Sequence, residues 1–268
     1  MDLGYEGASA AVTGGTKGMG RAIALTMAAE GAKVAVLARS PAEIDETVEA
    51  LRAAGAPDAM GVSTDVTDRQ GVIDAFAAIE SRWQTLNVLV NTVGPGAAKF
   101  EDLDDDDDWE AVFDIALMSA VRCVRSALPL LRGAEWARIV NISAHSIQRQ
   151  SPLLVAYTAS KAALASLSKN LAKSLAPEGI LVNTVSPGSI VTASFSEGLR
   201  PAFEAENLDP TDPYDVMKWI DTHFHQPADL GRAGLPVEIA VVVAFLASRT
   251  NGYVTGANIN VDGGSDFL

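Results

Sequence analysis

Hydrophobic residues in this chain fall into short unbroken runs, each followed by a longer stretch in which they recur every three or four positions. The first run, Ala8 to Val12, opens onto Thr13-Gly14-Gly15-Thr16-Lys17-Gly18-Met19-Gly20 and then onto Arg21 to Leu25, spaced for a helix. The second, Lys33 to Ala38, is too apolar to have a solvated face, so it belongs in a sheet covered on both sides. The alternation continues with a helix over Pro41 to Ala54, a strand over Ala59 to Thr64, a helix over Asp68 to Trp83 and a strand over Leu86 to Asn91. It resumes with a helix from about Trp109 to Leu131, a strand over Arg138 to Ile142, a helix from about Leu153 to Leu175 and a strand over Leu181 to Val185. A helix over Val237 to Ala247 and a strand over Ala257 to Val261 close the chain. Strands alternating with helices predict βαβ units, hence an α/β doubly wound parallel sheet of about seven strands with helices on both faces.

One stretch breaks the rhythm. Ser189 to Gly234 carries prolines at 201, 210, 213 and 227 and aromatic residues at 195, 203, 214, 219 and 224. A connection of that length in a compact domain predicts a lid, with short helices that close over a substrate.

Composition narrows the class of partner. With 268 residues, 48% of them hydrophobic, the chain can bury the core of a single domain spanning 1–268. A net charge of -14 disfavours nucleic acid and anionic membranes, leaving small molecules and other subunits. The N-terminus lacks a basic, apolar secretory leader and no long uncharged apolar stretch occurs, so a soluble cytoplasmic protein is expected. Cys123 has no partner cysteine and sits in a helical apolar pattern, which suits packing. The acidic run Asp104 to Asp108 reads as a solvated helix start, without the spaced ligands and central glycine of a calcium loop, and no metal site is expected.

Doubly wound sheets bind ligands beyond the carboxyl ends of their strands. There the chain offers the glycine loop, Arg39-Ser40, Asp65-Val66, Asn91-Thr92-Val93-Gly94, Ser143 and Ser186-Pro187-Gly188. Glycines at 14, 18 and 20 permit a tight turn and let backbone N–H groups and a helix N-terminus approach a pyrophosphate. Tyr157 and Lys161, four residues apart, share one helix face, and Ser143 lies 14 residues before the tyrosine. Hydride reduction of a ketone needs a proton for the developing alkoxide, and a phenol of pKa about 10 delivers it poorly unless a neighbouring cation lowers that value. Lys161 is spaced to do so, and Ser143, with Ser146 as runner-up, to hydrogen-bond the carbonyl oxygen.

The TGxxxGxG spacing, Asp65, Asn91 to Gly94, Ser143, Tyr157-Thr158-Ala159-Ser160-Lys161, and Pro187-Gly188 followed by Thr192 together resemble the short-chain dehydrogenase/reductase (SDR) family, in a 3-oxoacyl-reductase-like form. The resemblance runs over essentially the whole chain. It implies a Rossmann-type fold, NAD(P)-dependent chemistry between CH–OH and C=O, and Ser143, Tyr157 and Lys161 as catalytic residues. The cofactor would be held by Gly14, Thr16, Lys17, Gly18, Met19, Gly20, Arg39, Asp65, Val66, Asn91 and Gly94, then by Tyr157 and Lys161, and by Pro187, Gly188, Ile190 and Thr192 from the lid base. NAD-selective members carry an acid at the end of the second strand, where this chain has Ala38 followed by Arg39. With Lys17, Arg39 favours a 2'-phosphate and thus NADP(H) over NAD(H). Homotetramers built on the two long helices and on the last helix and strand are also implied.

The chain departs from the family at Ala116, where an asparagine normally stands at a helix kink that positions a proton-relaying water. A relay through the backbone carbonyl, Ser119 or His145 is the expectation, with slow turnover. Two further readings remain: a catalytically impaired cofactor-binding homologue acting as sensor or scaffold, and a relative that isomerises or dehydrates on the same fold. The lid residues Phe195, Leu199, Phe203, Met217, Trp219 and Phe224 suit a hydrophobic carbonyl substrate or, equally, the packing of the lid itself.

Overall fold

The structure is a computed structural model that describes residues 2–95, 105–151 and 154–265. The described strands are β1 (Ser9–Thr13), β2 (Lys33–Ala38), β3 (Ala59–Ser63), β4 (Val88–Asn91), β5 (Ala137–Ile142), β6 (Ile180–Pro187) and β7 (Asn258–Val261). They form one sheet in the order β3-β2-β1-β4-β5-β6-β7, with every pairing parallel. Order reverses between β1 and β4, the place where a doubly wound sheet opens a ligand crevice.

The helices are α1 (Gly18–Ala29), α2 (Pro41–Ala54), α3 (Arg69–Trp83), α4 (Asp106–Phe113), α5 (Ser119–Arg132), α6 (Val155–Leu175), α7 (Ala193–Ala205), α8 (Pro213–Phe224) and α9 (Pro236–Leu246). One apolar layer joins Val12 and Val36 to Ile23, Leu51 and Val243, under α1, α2 and α9. The other joins Leu37 and Leu89 to Phe76, Leu131 and Leu175, under α3, α5 and α6. Both faces of the central strands are therefore covered, which is why those strands carry no polar alternation. Cys123 is buried in the second layer, and burial pushes its thiol up to about 12, so it packs as an inert apolar residue.

Strand and helix ends lie within two or three residues of the expected ones, with one substantive exception. The continuous helix expected over Trp109 to Leu131 is broken: α4 passes into a π-helical turn, Asp114–Met118, before α5 begins. Asp104 and Leu153, expected at the starts of the acidic helix and the long helix, lie outside the described residues. Asp105 caps α4, accepting from the Asp107 and Asp108 amides, in keeping with a solvated helix start.

The irregular stretch contains α7 and α8 and folds on its own apolar cluster. Phe203 is fully buried and stacks on Trp219 with 5.1 Å between ring centroids, amid Val216, Met217 and Ile220 and against Phe195, Leu199 and Phe224. Those aromatic side chains pack the segment against itself. Among the described residues no helix is long and apolar enough to cross a membrane.

A buried polar chain fixes α6 against the sheet. The Asn91 amide donates to Asn141 Oδ1 at 2.8 Å, Asn141 Nδ2 donates to Ser168 Oγ at 2.8 Å, and Ser168 donates to the Leu164 carbonyl at 2.7 Å. This sets the register of α6 on β5 and with it the position of everything at the N-terminal end of the helix. Replacing Asn141 with alanine strips two buried groups of their partners at once, and the expected loss is about 2–4 kcal/mol of unfolding free energy. Urea denaturation of Asn141→Ala measures it; a loss within error of zero would show that the chain of amides does not hold the helix.

Candidate active site

The strand-end glycines shape the crevice through close approach. Gly14 and Gly18 have φ of +65° and +50°, conformations in which a side chain is strained. At Gly20 the constraint is spatial: a methyl group there would lie 2.3 Å from the Gly14 carbonyl oxygen and 2.7 Å from Thr92 Oγ1. Thr92 itself donates to the Thr13 carbonyl at 2.5 Å, locking the end of β4 to the end of β1. The N-cap of α1 is Lys17, whose side chain caps nothing, so the first-turn amides face the crevice and suit an anion.

Above this turn lies a cavity of about 920 Å³. Of the residues expected to hold a cofactor, Gly14, Thr16 to Gly20, Arg39, Asp65, Val66, Gly94 and Thr192 line it. Pro187, Gly188 and Ile190 do not line it, and neither do Ser143, Tyr157 and Lys161. Asn91 also stays out of its wall, because its amide turns inward to Asn141 and its Oδ1 is buried without a hydrogen-bond partner. Asp65 accepts from the Thr67 amide at 2.9 Å and hydroxyl at 2.7 Å, and these bonds hold its carboxyl below the usual carboxylate range. Sequence reasoning missed Glu43, Thr67 and Asp114, which share the cavity wall.

Lys161 stands directly behind that wall. Its Nζ donates to the Ile142 carbonyl at 2.9 Å, and a methyl group on Gly94 would lie 3.1 Å from it, so glycine at 94 leaves the ammonium its room. The same Nζ lies 6.0 Å from the Tyr157 ring centroid. Burial lowers the lysine to about 8 and pushes the Tyr157 phenol up to about 12. Sequence reasoning expects Lys161 to lower the phenol; in the structure desolvation raises it.

The Ser143 hydroxyl donates to the main-chain carbonyl of Lys161 at 2.9 Å. In this rotamer its proton points to the helix, and a substrate oxygen would receive it once the hydroxyl turns. Ala144 continues in extended backbone, directing its methyl to the opposite side. Ser146 is buried and accepts from Thr158 Oγ1 at 3.1 Å. His145 Nδ1 faces the Pro187 carbonyl at 3.2 Å, and burial lowers its pKa, which favours the neutral ring with the hydrogen on Nδ1.

Ala116 is buried at the centre of the π-helical turn. The kink is thus present without an asparagine side chain. Ser119 Oγ donates to the Ile115 carbonyl at 2.6 Å and Arg122 pairs with Asp114 across the turn, so backbone groups released by the wider spiral are bridged by side chains. With its proton on Ile115, Ser119 is not free to pass one onward.

A profile of the family described as enoyl-(acyl carrier protein) reductase matches residues 14–266. The short-chain reductase protein NovJ of Streptomyces niveus is 34% identical over 255 residues, covering 95% of this chain and 92% of NovJ. The 3-oxoacyl-(acyl-carrier-protein) reductase FabG of Aquifex aeolicus is 31% identical over 267 residues, covering 98% of this chain and 99% of FabG. Among solved structures, L-sorbose reductase from Gluconobacter frateurii, complexed with NADPH and L-sorbose, aligns over 100% of both chains with a TM-score of 0.91 at 27% identity. The Pseudomonas aeruginosa RhlG/NADP complex aligns over 98% of both chains with a TM-score of 0.83 at 29% identity.

Lys161 gives the site a pH signature in stability. Its folded value of about 8 lies below the 10.5 of an ordinary lysine, so proton binding favours the unfolded chain. The native state accordingly loses stability as pH falls from about 10.5 to about 8, and this group takes no more below that. Lys161→Met, which cannot titrate, should gain on the wild type across that window and hold a constant advantage beneath it. Paired urea midpoints against pH test this, and parallel curves would show that the ammonium is not desolvated.

Proposed function

We propose, because the chain belongs to the short-chain dehydrogenase/reductase family of oxidoreductases, that it interconverts a carbonyl and a secondary alcohol using NADP(H), with Tyr157 as the proton donor and acceptor. The observation that carries this reading is the placement of Lys161 and Tyr157 on one face of α6, with the ammonium against Gly94 and Gly94 in the cavity wall.

The cavity suits a dinucleotide. Its volume is within the range of small-molecule sites, and its wall carries Gly14 and Gly18 at positive φ and Gly20, where a methyl would collide with the Gly14 carbonyl. The α1 N-terminus and the Gly14 to Gly20 loop are assigned to the pyrophosphate, Asp65 and Val66 to the adenine, Lys161 to the nicotinamide ribose, and Thr192, with Pro187, Gly188 and Ile190, to the nicotinamide end. Arg39 and Lys17 are assigned to a 2'-phosphate. The NADPH and NADP of the two aligned structures support that choice. When bound, the nicotinamide supplies or accepts the hydride.

The protein's own part is the proton. In reduction the neutral phenol of Tyr157 is the active form, and burial keeps it protonated at neutral pH. In oxidation the phenolate is required, and the Lys161 ammonium stabilises it. Ser143 is assigned to hydrogen-bond the substrate carbonyl oxygen as it gains charge, its hydroxyl turning from the Lys161 carbonyl that it bonds in this structure. Residues 189–234 act as the lid of a single catalytic unit, and Ala116 leaves its main-chain carbonyl in the kink for a relay.

One observation favours a second reading, in which the chain binds cofactor and has lost most of its turnover: the Ser143 and Ser119 hydroxyls are both committed to backbone carbonyls. Activity assays with NADPH and NADH over a carbonyl panel separate the two. Catalysis with kcat/KM higher for NADPH, abolished in Tyr157→Phe with cofactor binding intact, is the expected result. Ala116→Asn should be equal or faster, by up to about 10²-fold if proton relay limits the rate. Full activity in Tyr157→Phe overturns the mechanism, and silence of both wild type and Ala116→Asn supports the second reading.

We further assign a homotetramer. On α9, Val237, Val241 and Phe245 form one face that is 54%, 59% and 39% exposed, and Tyr253 nearby is 98% exposed. α9 also contacts β7, which ends the sheet order among the described residues, so a strand edge and an apolar helix are available to a second chain. Light scattering at micromolar concentration should give four chains and Val241→Glu fewer; a wild-type monomer ends the claim.

A further inference from the structure

The corner of the cavity assigned to the 2'-phosphate contains an acid as well as bases. Glu43, in the first turn of α2, lines the cavity with Lys17 and Arg39. Its carboxylate pairs with Lys17 Nζ at 2.8 Å, and its other oxygen accepts from Thr16 Oγ1 at 3.5 Å. Hydrogen bonding to Glu43 is the main reason the Lys17 ammonium is held above its ordinary value. Arg39 has no ion pair among the described residues, and its charge reaches Asp65 across the cavity.

A phosphate monoester entering this corner is doubly charged near neutral pH and needs cations. One of the two at hand is already neutralised. To use Lys17, the phosphate must draw it from Glu43 and then sit beside the carboxylate released. The pair is 58% and 37% exposed, so separating it costs little. The carboxylate left behind still repels the phosphate. A ribose carrying only a hydroxyl meets no such penalty, since a carboxylate accepts hydrogen bonds.

Building on the cofactor reading above, we propose that Glu43 sets how strongly this chain discriminates NADP(H) from NAD(H). By holding Lys17 it leaves Arg39 as the main cation for a 2'-phosphate and keeps the preference for the phosphorylated cofactor narrow. Neutralising Glu43 widens it.

Calorimetric titration with 2',5'-ADP and 5'-ADP isolates the 2'-phosphate from turnover. The wild type should bind 2',5'-ADP more tightly, by a margin that shrinks as salt rises. In Glu43→Gln the Kd for 2',5'-ADP should fall about three- to tenfold while that for 5'-ADP changes less than about twofold, as expected for one charged contact in a solvated corner. Adding Lys17→Met to Glu43→Gln should remove the gain. If both nucleotides bind and Glu43→Gln leaves their ratio unchanged, or loosens 5'-ADP alone, the role of Glu43 is overturned and the cofactor site stands. If neither nucleotide binds the wild type, the cofactor reading fails and this one with it.

Discussion

Much of the active end of this molecule depends on placing one ammonium where water is scarce. Lys161 is buried, its Nζ rests on the Ile142 carbonyl, and burial lowers its pKa to about 8. A charge in that position is tolerated only if the surrounding geometry is rigid, because a drifting ammonium would lose its acceptor without regaining water. Three features supply rigidity. Ser143 clamps the Lys161 turn of the helix to the strand end, the Asn91–Asn141–Ser168 chain fixes the helix two turns further on, and Gly94 leaves the space into which the ammonium projects. The buried polar residues of β4 and β5 thus serve the lysine, although none of them lines the cavity.

The π-helical turn at Asp114–Met118 solves a related problem on the facing helix. A wider turn leaves backbone carbonyls without their usual donors, and such turns persist when something else bonds them or spans the gap. Ser119 bonds the Ile115 carbonyl and the Asp114–Arg122 pair spans the turn, while Ala116 contributes only a methyl. The kink therefore belongs to the neighbours of Ala116. Arg122 Nη1 remains buried without a hydrogen-bond partner, which shows how closely that side chain is drawn into the bridge.

The sheet, its order of elements and the glycine loop were legible in the sequence because hydrophobic periodicity and glycine spacing are local signals. The turn at Ala116 was legible only through the family resemblance, since no proline or glycine marks it and one of its supports pairs residues eight apart. Asn91 looked like a crevice residue because it ends a strand, yet its amide points along the sheet to Asn141. Ser143 showed the right distance in sequence to Tyr157, but a hydroxyl's direction depends on which acceptor lies nearest, and the helix backbone supplied one. Glu43 was hidden by its resemblance to a helix-start residue: Ser40-Pro41-Ala42-Glu43 has the spacing of a capping box, and Ser40 does accept from the Glu43 amide. The carboxylate, which in such a box would turn back to the cap, reaches across to Lys17 instead.

The lid obeys a different logic from the cavity it adjoins. Its two ends are pinned together where Val191 donates to the Gly234 carbonyl and Gly234 to the Ser189 carbonyl, both at 2.9 Å. Between them α7 and α8 close on Phe203 and Trp219, so the segment has a core of its own. Its far side is tied down by Arg149, which donates to the carbonyls of His225 and Pro227 and, at 2.7 Å, to that of Ser265. A segment with its own core and a pinned neck can shift as a unit without exposing apolar surface. Its aromatic content serves that need to hold itself together.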